Sequence, residues 1–128
     1  MYKNKKILIV EDEEGYKNSL KMALEKEGHE IFTAGNGEVG LTMALNDHPH
    51  LIIIDLIMPR MDGSTMLDQL RYDAWGSQVP VIILTNLNPQ DTMYNKLLLN
   101  QPSSYLIKTK IQIQDVVQKV NEIVNEKL

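Results

Sequence analysis

The chain has 128 residues, enough for one domain that buries about two-thirds of the surface exposed by its unfolded form. It contains no cysteine, so disulfides, a thiolate nucleophile and a cysteine-ligated zinc site are excluded. The formal net charge of -4, without a basic stripe interleaved with aromatic residues, argues against direct nucleic-acid binding. No apolar stretch approaches the roughly 20 residues of a membrane span and no signal-type segment precedes the first strand, so we expect a cytoplasmic protein without a membrane partner.

In the first half of the chain, short apolar runs that predict strands alternate with apolar residues at helical spacing. Glycine and proline residues mark the ends of the helices. In chain order, the predicted elements are a strand at about residues 6–11, a helix that ends at Gly28, a strand at residues 30–34, a helix that ends before His48, and a strand at residues 51–55.

The second half repeats this alternation. Asn88 and Pro89 are typical of the N-cap and first residue of a helix, with Asp91 near the positive end of the helix dipole. The predicted elements are a helix at about residues 64–72, a strand at residues 80–85, a helix from Asn88 to about Leu99, a strand at residues 104–107, and a closing helix whose apolar stripe contains Val116, Val117, Val120, Ile123 and Val124.

Strands that alternate with helices predict an α/β fold, in which a parallel sheet carries helices on both faces. Right-handed crossovers place the carboxyl ends of all strands at the same edge of the sheet, and ligands bind beyond that edge. The polar residues at or just after the predicted strand ends are Glu11, Asp12, Asp55, Thr85 and Lys108. We therefore expect these side chains to share one rim.

The three acids of this rim are expected to repel one another unless a cation neutralises them or some are protonated. Carboxylate ligands suit a hard cation, and a site that leaves room for phosphate oxygens suits Mg²⁺ better than Ca²⁺. Lys108 offers a positive charge and Thr85 a hydroxyl donor for an anionic phosphoryl group. An aspartate between a metal ion and a lysine can act as a nucleophile toward phosphorus.

Four motifs at the predicted strand ends carry a resemblance to a known family. They are Glu11-Asp12, Asp55-Leu56-Ile57-Met58-Pro59-Arg60-Met61-Asp62-Gly63, Leu84-Thr85-Asn86 and Tyr105-Leu106-Ile107-Lys108. In this order, they make the chain resemble the receiver domain of bacterial two-component response regulators, a match that covers nearly all of residues 1–128. The resemblance implies a single-domain, doubly wound (βα)5 three-layer sandwich with a five-stranded parallel sheet in the flavodoxin-like order 2-1-3-4-5.

The resemblance also implies roles for the acids of the rim. Asp55 would accept a phosphoryl group from the phosphohistidine of a sensor histidine kinase or phosphotransfer protein. Mg²⁺, the one implied cofactor, would be bound by Asp12, Asp55 and the backbone carbonyl of Ile57, while Glu11 would act through water. The protein would be a phosphoacceptor that assists its own phosphotransfer and autodephosphorylation, rather than an enzyme in the usual sense.

The implied switch connects the phosphorylated site to an outer face of the domain. Lys108 and Thr85 would contact the phosphoryl oxygens, and movement of Thr85 would be coupled to rotation of Tyr105. The two arrangements of Thr85 and Tyr105 need to differ in free energy by only a few kcal/mol. The change from one to the other would alter the face formed by helix 4, strand 5 and helix 5. A downstream protein target, a lost output domain and a homodimer are all compatible with the sequence.

Several positions depart from the family pattern. Glu11 replaces an aspartate, and Asn86 stands where a small residue is usual, so that its bulk could restrict access of a phosphodonor. Thr109 follows Lys108 where proline is usual, and residues 101–104, which lead into the fifth strand, differ from the residues that are usual there. The departures at Asn86 and Thr109 motivate an alternative function, a receiver-fold interaction module that signals without phosphorylation.

The rim residues also have plainer interpretations. Asp55 could be a cap, Glu11 and Asp12 a solvated helix start, Lys108 a surface charge, Thr85 an ordinary strand residue and Tyr105 a packing residue. A hydrolase or flavin-binding protein on the same kind of sheet is a further alternative. The flavin-binding interpretation is disfavoured because the four acids at residues 11–14 would repel a cofactor phosphate.

The remaining distinctive side chains receive structural interpretations. Met22, Met43 and Met66 are expected to fill the core, and Trp75 is expected to cover its edge. His48 and His50 are expected to be solvated loop residues at the end of the sheet opposite the acids. We therefore predict no function for these positions.

Overall fold

Five parallel strands form the centre of the structure, a computed structural model that describes residues 5–87 and 97–125. The strands are β1 (Lys6–Val10), β2 (Glu30–Ala34), β3 (Leu51–Ile54), β4 (Val81–Thr85) and β5 (Ser104–Ile107). The helices are α1 (Glu14–Lys26), α2 (Gly37–Asp47), α3 (Gly63–Arg71), α4 (helical at residues 97–99) and α5 (Ile113–Asn125), and a 3₁₀ helix at Lys108–Lys110 follows β5 directly. The predicted start of the fourth helix, at Asn88, Pro89 and Asp91, lies outside the described residues. Within the described part of the chain, no helix combines the length and the apolar character that a membrane span requires.

The strands follow the order β2-β1-β3-β4-β5, and every adjacent pair is parallel. This confirms the predicted doubly wound topology. Near the carboxyl edge, Val10 of β1 lies beside Ala34 and Ile54, and Ile54 of β3 lies beside Ile83. Because the strands are in this register, the residues that follow β1 and β3 leave the sheet side by side.

Helices cover both faces of the sheet, which explains why the strand sequences are almost continuously apolar. One buried cluster combines Leu8, Val10, Ile52 and Ile54 of the sheet with Met66, Leu67 and Leu70 of α3. The other combines Ile7, Ile9 and Ile53 with Leu20 and Leu24 of α1 and Val116, Val117, Val120 and Val124 of α5. Successive residues of β1 and β3 therefore alternate between two cores, as the period of a strand requires.

Capping side chains fix three helices just beyond the strands that precede them. Glu13 caps α1, Asn36 caps α2 and Asp62 caps α3, and each side chain accepts a hydrogen bond from a backbone N–H of the first turn. The first helix stops before Gly28, whose φ of 94° is a left-handed conformation that glycine adopts without strain. The predicted stop at Gly28 is therefore confirmed.

The prediction that all three methionines fill the core is wrong at one position. Met66 is fully buried and Met43 is partly buried against the core, whereas Met22 is 61% exposed. Met22 lies between Leu20 and Leu24, which face the sheet. Because each helical residue turns by about 100°, the position between them points toward solvent.

His48, His50 and Trp75 lie at the amino edge of the sheet. The His48 backbone is left-handed with φ 48°, and its ring stacks on Trp75 with the centroids 4.2 Å apart. Nδ1 of His50 accepts a hydrogen bond of 3.0 Å from the backbone N–H of Lys6. Both histidines are exposed and far along the strands from the acids, as predicted, and Trp75 packs against the edge of the core.

Arg71 at the end of α3 joins the loop that leads into β4 to the loop that leads into β5. Its guanidinium donates hydrogen bonds to the backbone carbonyls of Gly76, Val79 and Asn100 at distances of 2.7 to 2.8 Å. Burial lowers the pKa of Arg71, but a guanidinium remains charged at neutral pH. β5 forms at its predicted place, Ser104–Ile107, although residues 101–104 depart from the family pattern.

Candidate functional site

Carboxylates that follow β1 and β3 meet at the carboxyl edge of the sheet. Glu11 and Asp12 come directly after β1, and Asp55 comes directly after β3. One potential ligand atom from each residue lies within 4.8 Å of the other two, with Glu11 and Asp55 buried and Asp12 exposed. The structure thus brings together the three acids that the sequence places on one rim. An all-oxygen cluster with one exposed member suits a hard cation.

Lys108 reaches this cluster from the 3₁₀ helix after β5. Its Nζ donates a hydrogen bond of 3.0 Å to Oδ2 of Asp55 and forms an ion pair with Oε1 of Glu11. The side chains of Lys108, Glu11 and Asp55 are only 11%, 4% and 8% exposed, so water screens these charges poorly. Because a poorly hydrated charge is costly when it is unpaired, each of the three groups depends on the others.

Burial and neighbouring charges act in opposite directions on the two ends of this ion pair. Burial raises the pKa of Glu11 to about 7, although hydrogen bonds from Lys108 and the Glu13 backbone oppose the rise. Burial alone would lower the pKa of Lys108, but hydrogen bonds to Glu11 and Asp55 outweigh it and the pKa is raised. Lys108 is therefore cationic at neutral pH. A bound metal cation would favour the carboxylate form of Glu11.

Hydrogen bonds fix the backbone on both sides of Asp55. The Asp55 N–H donates to the Val10 carbonyl at 3.0 Å, and the Ile57 N–H donates to Oδ1 of Asp55 at 3.3 Å. The Gly63 N–H donates to the Leu56 carbonyl at 3.0 Å and closes the loop. The loop therefore holds Asp55 in one place and carries Ile57, the predicted backbone ligand, two residues further on.

Gly63 allows α3 to begin directly against the backbone of Asp55. A Cβ added at Gly63 would lie 2.2 Å from the Asp55 carbonyl oxygen and 2.8 Å from Cγ2 of Ile54. The first of these contacts is with backbone, which cannot rotate away. Glycine is therefore required where the helix approaches the site.

Gly63→Ala is expected to lower the free energy of unfolding by about 1–3 kcal/mol, because the new methyl group overpacks the start of α3. Urea unfolding followed by circular dichroism measures the change. Gly35→Ala is the matched control, since no atom outside its immediate neighbours lies within 4 Å of its added Cβ. Equal unfolding midpoints for the two variants would contradict the prediction.

Thr85 and Tyr105 are connected through the loop after β4. Thr85 is fully buried at the end of the strand, and its Oγ1 accepts a hydrogen bond of 3.4 Å from the Leu87 N–H. The hydroxyl of partly buried Tyr105 donates to the Leu87 carbonyl at 2.8 Å. Both side chains are thus hydrogen-bonded to the backbone of Leu87, so a displacement of this loop would alter both hydrogen bonds.

Two departures from the family pattern lie next to these residues. Asn86 is exposed and directly follows Thr85 at the rim. Thr109 is exposed within the 3₁₀ helix, where it does not prevent Lys108 from reaching Asp55. The altered position after Lys108 is therefore compatible with the ion-pair geometry.

A family model described as the response regulator receiver domain matches residues 7–121, which include every residue of this rim. The chain belongs to this family. Receiver domains are components of two-component signalling, and the structure has the order of strands that the resemblance implied. The predicted family and fold are therefore both confirmed.

Two relatives illustrate the range of proteins that contain similar domains. The receiver domain is 37% identical over 95 residues to the alkaline phosphatase synthesis transcriptional regulatory protein PhoP of Bacillus subtilis, covering 74% of this chain and 38% of that protein. It is 36% identical over 92 residues to protein PilH of Pseudomonas aeruginosa, covering 71% of this chain and 76% of PilH. The chain spans 34% to 50% of the length of several curated relatives.

Solved structures share the whole fold. The CheY-like receiver domain protein of Methanospirillum hungatei superposes with a TM-score of 0.87 at 26% identity, covering 96% of this chain and 95% of that one. The receiver domain of a sensor histidine kinase from Pseudomonas aeruginosa, whose active-site cleft coordinates a magnesium ion, gives a TM-score of 0.84 at 21% identity. That match covers 94% of this chain and 98% of the neighbour, and at this identity it supports the fold alone.

Tyr16 is the residue of the receiver domain that the sequence interpretation missed at the site. No role was predicted for it, yet Nζ of Lys108 lies 4.6 Å from the centre of its ring. Its position in the first turn after β1 already placed it near the carboxyl edge. Lys108 belongs to a distant part of the chain, so only the folded structure reveals the contact.

Proposed function

We propose that this receiver domain accepts a phosphoryl group on Asp55 from the phosphohistidine of a sensor histidine kinase or phosphotransfer protein. The observation that carries the proposal is the position of Asp55, whose Oδ2 is 3.0 Å from Nζ of Lys108 inside a cluster of three carboxylates. A nucleophilic carboxylate next to a fixed cation is suited to attack an anionic phosphorus. Membership of the receiver family supports the same role.

Beyond the attack by Asp55, the transfer needs mainly positioning and charge neutralisation from the protein. A carboxylate oxygen of Asp55 forms a bond to phosphorus as the phosphorus–nitrogen bond of the donor breaks, and the donor imidazole keeps the electron pair and takes up a proton. Lys108 balances negative charge on the phosphoryl oxygens, and Thr85 offers them a hydroxyl donor. Water later hydrolyses the acyl phosphate. The domain is proposed to assist this dephosphorylation as a phosphoacceptor, rather than to act as a conventional enzyme.

The carboxylates also fit a Mg²⁺ cofactor. Asp12 and Asp55 would bind the ion together with the backbone carbonyl of Ile57, and Glu11 would act through water. When bound, the ion supplies the positive charge that lets clustered carboxylates and phosphoryl oxygens approach one another. The close approach of three carboxylates, one of them exposed, supports this assignment.

The response to phosphorylation is proposed to pass through Thr85 and Tyr105. Both are hydrogen-bonded to Leu87, so a displacement of Thr85 toward the phosphoryl group would alter the Tyr105 position. The affected surface would be the face formed by α4, β5 and α5. A downstream protein target, an attached output domain or a second copy would recognise this face.

We further propose that residues 1–128 form one receiver domain that acts in the cytoplasm. Transcriptional regulators such as PhoP of Bacillus subtilis are longer than the matched region, so an output domain is one class of partner. PilH of Pseudomonas aeruginosa is mostly covered by the match, so a separate protein target is another. Neither nucleic acid nor membrane is proposed as a direct ligand, because the chain is acidic.

Incubation with acetyl phosphate and Mg²⁺ is expected to add one phosphoryl group to the wild-type protein, with the modification on the peptide that contains Asp55. Intact-mass and peptide mass spectrometry measure the addition and its position. A chelator should prevent it, and hydroxylamine should remove it because the bond is an acyl phosphate. If acetyl phosphate and phosphorylated histidine kinases all leave Asp55 unmodified, the interaction module that signals without phosphorylation becomes the better assignment.

A further inference from the structure

The ring of Tyr16 lies next to the ammonium group that neutralises the site. Nζ of Lys108 is 4.6 Å from the ring centre, within the range of a cation–π interaction. The same Nζ contacts Glu11 and Asp55. Three different groups therefore surround one ammonium whose side chain is only 11% exposed.

The first turn of α1 fixes the backbone that carries this ring. The Glu13 carboxylate accepts hydrogen bonds of 3.2 Å from the Gly15 N–H and 3.1 Å from the Tyr16 N–H. The Tyr16 side chain is partly buried and packs against the core between the sheet, α1 and α5. Tyr16 is therefore positioned by contacts that do not involve Lys108.

A lysine side chain needs such support more than most groups. Its four-carbon stem is flexible, and its point charge has no preferred plane in which to bind a carboxylate. Glu11 and Asp55 both attract the ammonium, so their attraction alone does not select the position that serves Asp55. An aromatic face restricts the position of the ammonium further. The cation–π attraction is stronger in a poorly hydrated setting than at an exposed surface.

We propose that Tyr16 is a positioning residue, whose ring face holds the Lys108 ammonium against Asp55 for phosphoryl transfer. The consequence for transfer rests on the proposed function, whereas the position of Lys108 does not. The ring face, rather than the hydroxyl, is the part of Tyr16 that acts. Phenylalanine at position 16 should therefore keep Lys108 in place, and an aliphatic residue should not.

The experiment compares Tyr16→Leu and Tyr16→Phe with the wild type, using acetyl phosphate so that no protein partner is involved. The initial rate of Asp55 phosphorylation should fall about 3- to 30-fold in Tyr16→Leu and stay within about 2-fold in Tyr16→Phe. In the metal-free proteins, NMR should show the Lys108 ε-methylene shifted upfield by the ring in the wild type and Tyr16→Phe. That shift should vanish in Tyr16→Leu, and Tyr16→Met provides a second non-aromatic variant if leucine disturbs the fold.

The outcomes separate this inference from the proposed function. A wild type that is never phosphorylated, but whose Lys108 resonances respond as expected, contradicts the proposed function and supports the placement of Lys108 by Tyr16. An active wild type with an unchanged rate in the non-aromatic variants overturns the positioning role. Lys108 resonances that do not change between the ring-containing and ring-free proteins also overturn it. A Tyr16→Phe variant as slow as Tyr16→Leu would assign the effect to the hydroxyl and overturn the role of the ring.

Discussion

Replacing Asp55 with asparagine is expected to abolish phosphoryl acceptance from acetyl phosphate and from a histidine kinase. The amide has the size of the carboxylate but lacks its nucleophilic, negatively charged oxygens. Its carbonyl oxygen can still accept one of the two hydrogen bonds that Asp55 accepts, from the Ile57 N–H or from Lys108, and Lys108 keeps its ion pair with Glu11, so the local structure should persist. Intact-mass spectrometry after incubation with the donor and Mg²⁺ measures the loss.

Asp62→Asn is the matched control for this substitution. Asp62 follows the same loop and caps α3 by accepting the Thr65 N–H at 2.8 Å, a role that asparagine fills equally well. It lies outside the cluster of Glu11, Asp12 and Asp55. The Asp62→Asn protein should therefore be phosphorylated like the wild type. Phosphorylation that persists in Asp55→Asn would rule out Asp55 as the acceptor, and an equal loss in Asp62→Asn would show that the loss is not specific to Asp55.

Replacing Lys108 with methionine is expected to slow phosphorylation of Asp55 about 10²- to 10³-fold, the usual effect of losing one fixed electrostatic group at a reacting centre. Methionine keeps most of the length and apolar volume of the stem but has no charge. Without Lys108, the buried carboxylates of Glu11 and Asp55 face each other with no ammonium between them. The time course of the phosphorylated fraction, measured by intact mass at fixed Mg²⁺, gives the rate.

Lys110→Met controls for the loss of a positive charge in the same segment. Lys110 belongs to the same 3₁₀ helix as Lys108 but is exposed to solvent. Its replacement should change the rate by less than about 2-fold, because exposed charges are screened by water and salt. Similar rates for the two methionine variants would show that Lys108 acts only through net charge and not through its position.

Local sequence patterns were sufficient to predict the architecture and the general place of the site. β2 and β5 were predicted at their observed bounds, because a short apolar run between turn residues has few other structures available. The rim followed from topology, since parallel strands end at the same edge and their next residues must lie there. That argument needs only the position of Asp55 or Lys108 along the chain and not its side-chain contacts.

The family was also accessible from the sequence, because four motifs occur in order at the strand ends. The bounds of the fourth helix were predicted from Asn88 onward, and its start lies outside the described residues. The coupling of Thr85 to Tyr105 in a switch rested on the resemblance alone. The structure adds their shared bonding to Leu87, which no local pattern encodes.

By itself, the sequence determined the order of strands and helices along the chain, the two apolar faces of the sheet and the set of polar residues at its carboxyl edge. These features depend on periodicity and chain direction. Only the tertiary structure decided that Lys108 pairs with both Glu11 and Asp55, that Tyr16 lies beside it, and that Met22 faces solvent. It also decided that Gly63 must approach the Asp55 backbone without a side chain. The physical reason is that these features depend on distances between elements far apart in the chain, which packing of the two cores fixes and local propensity does not.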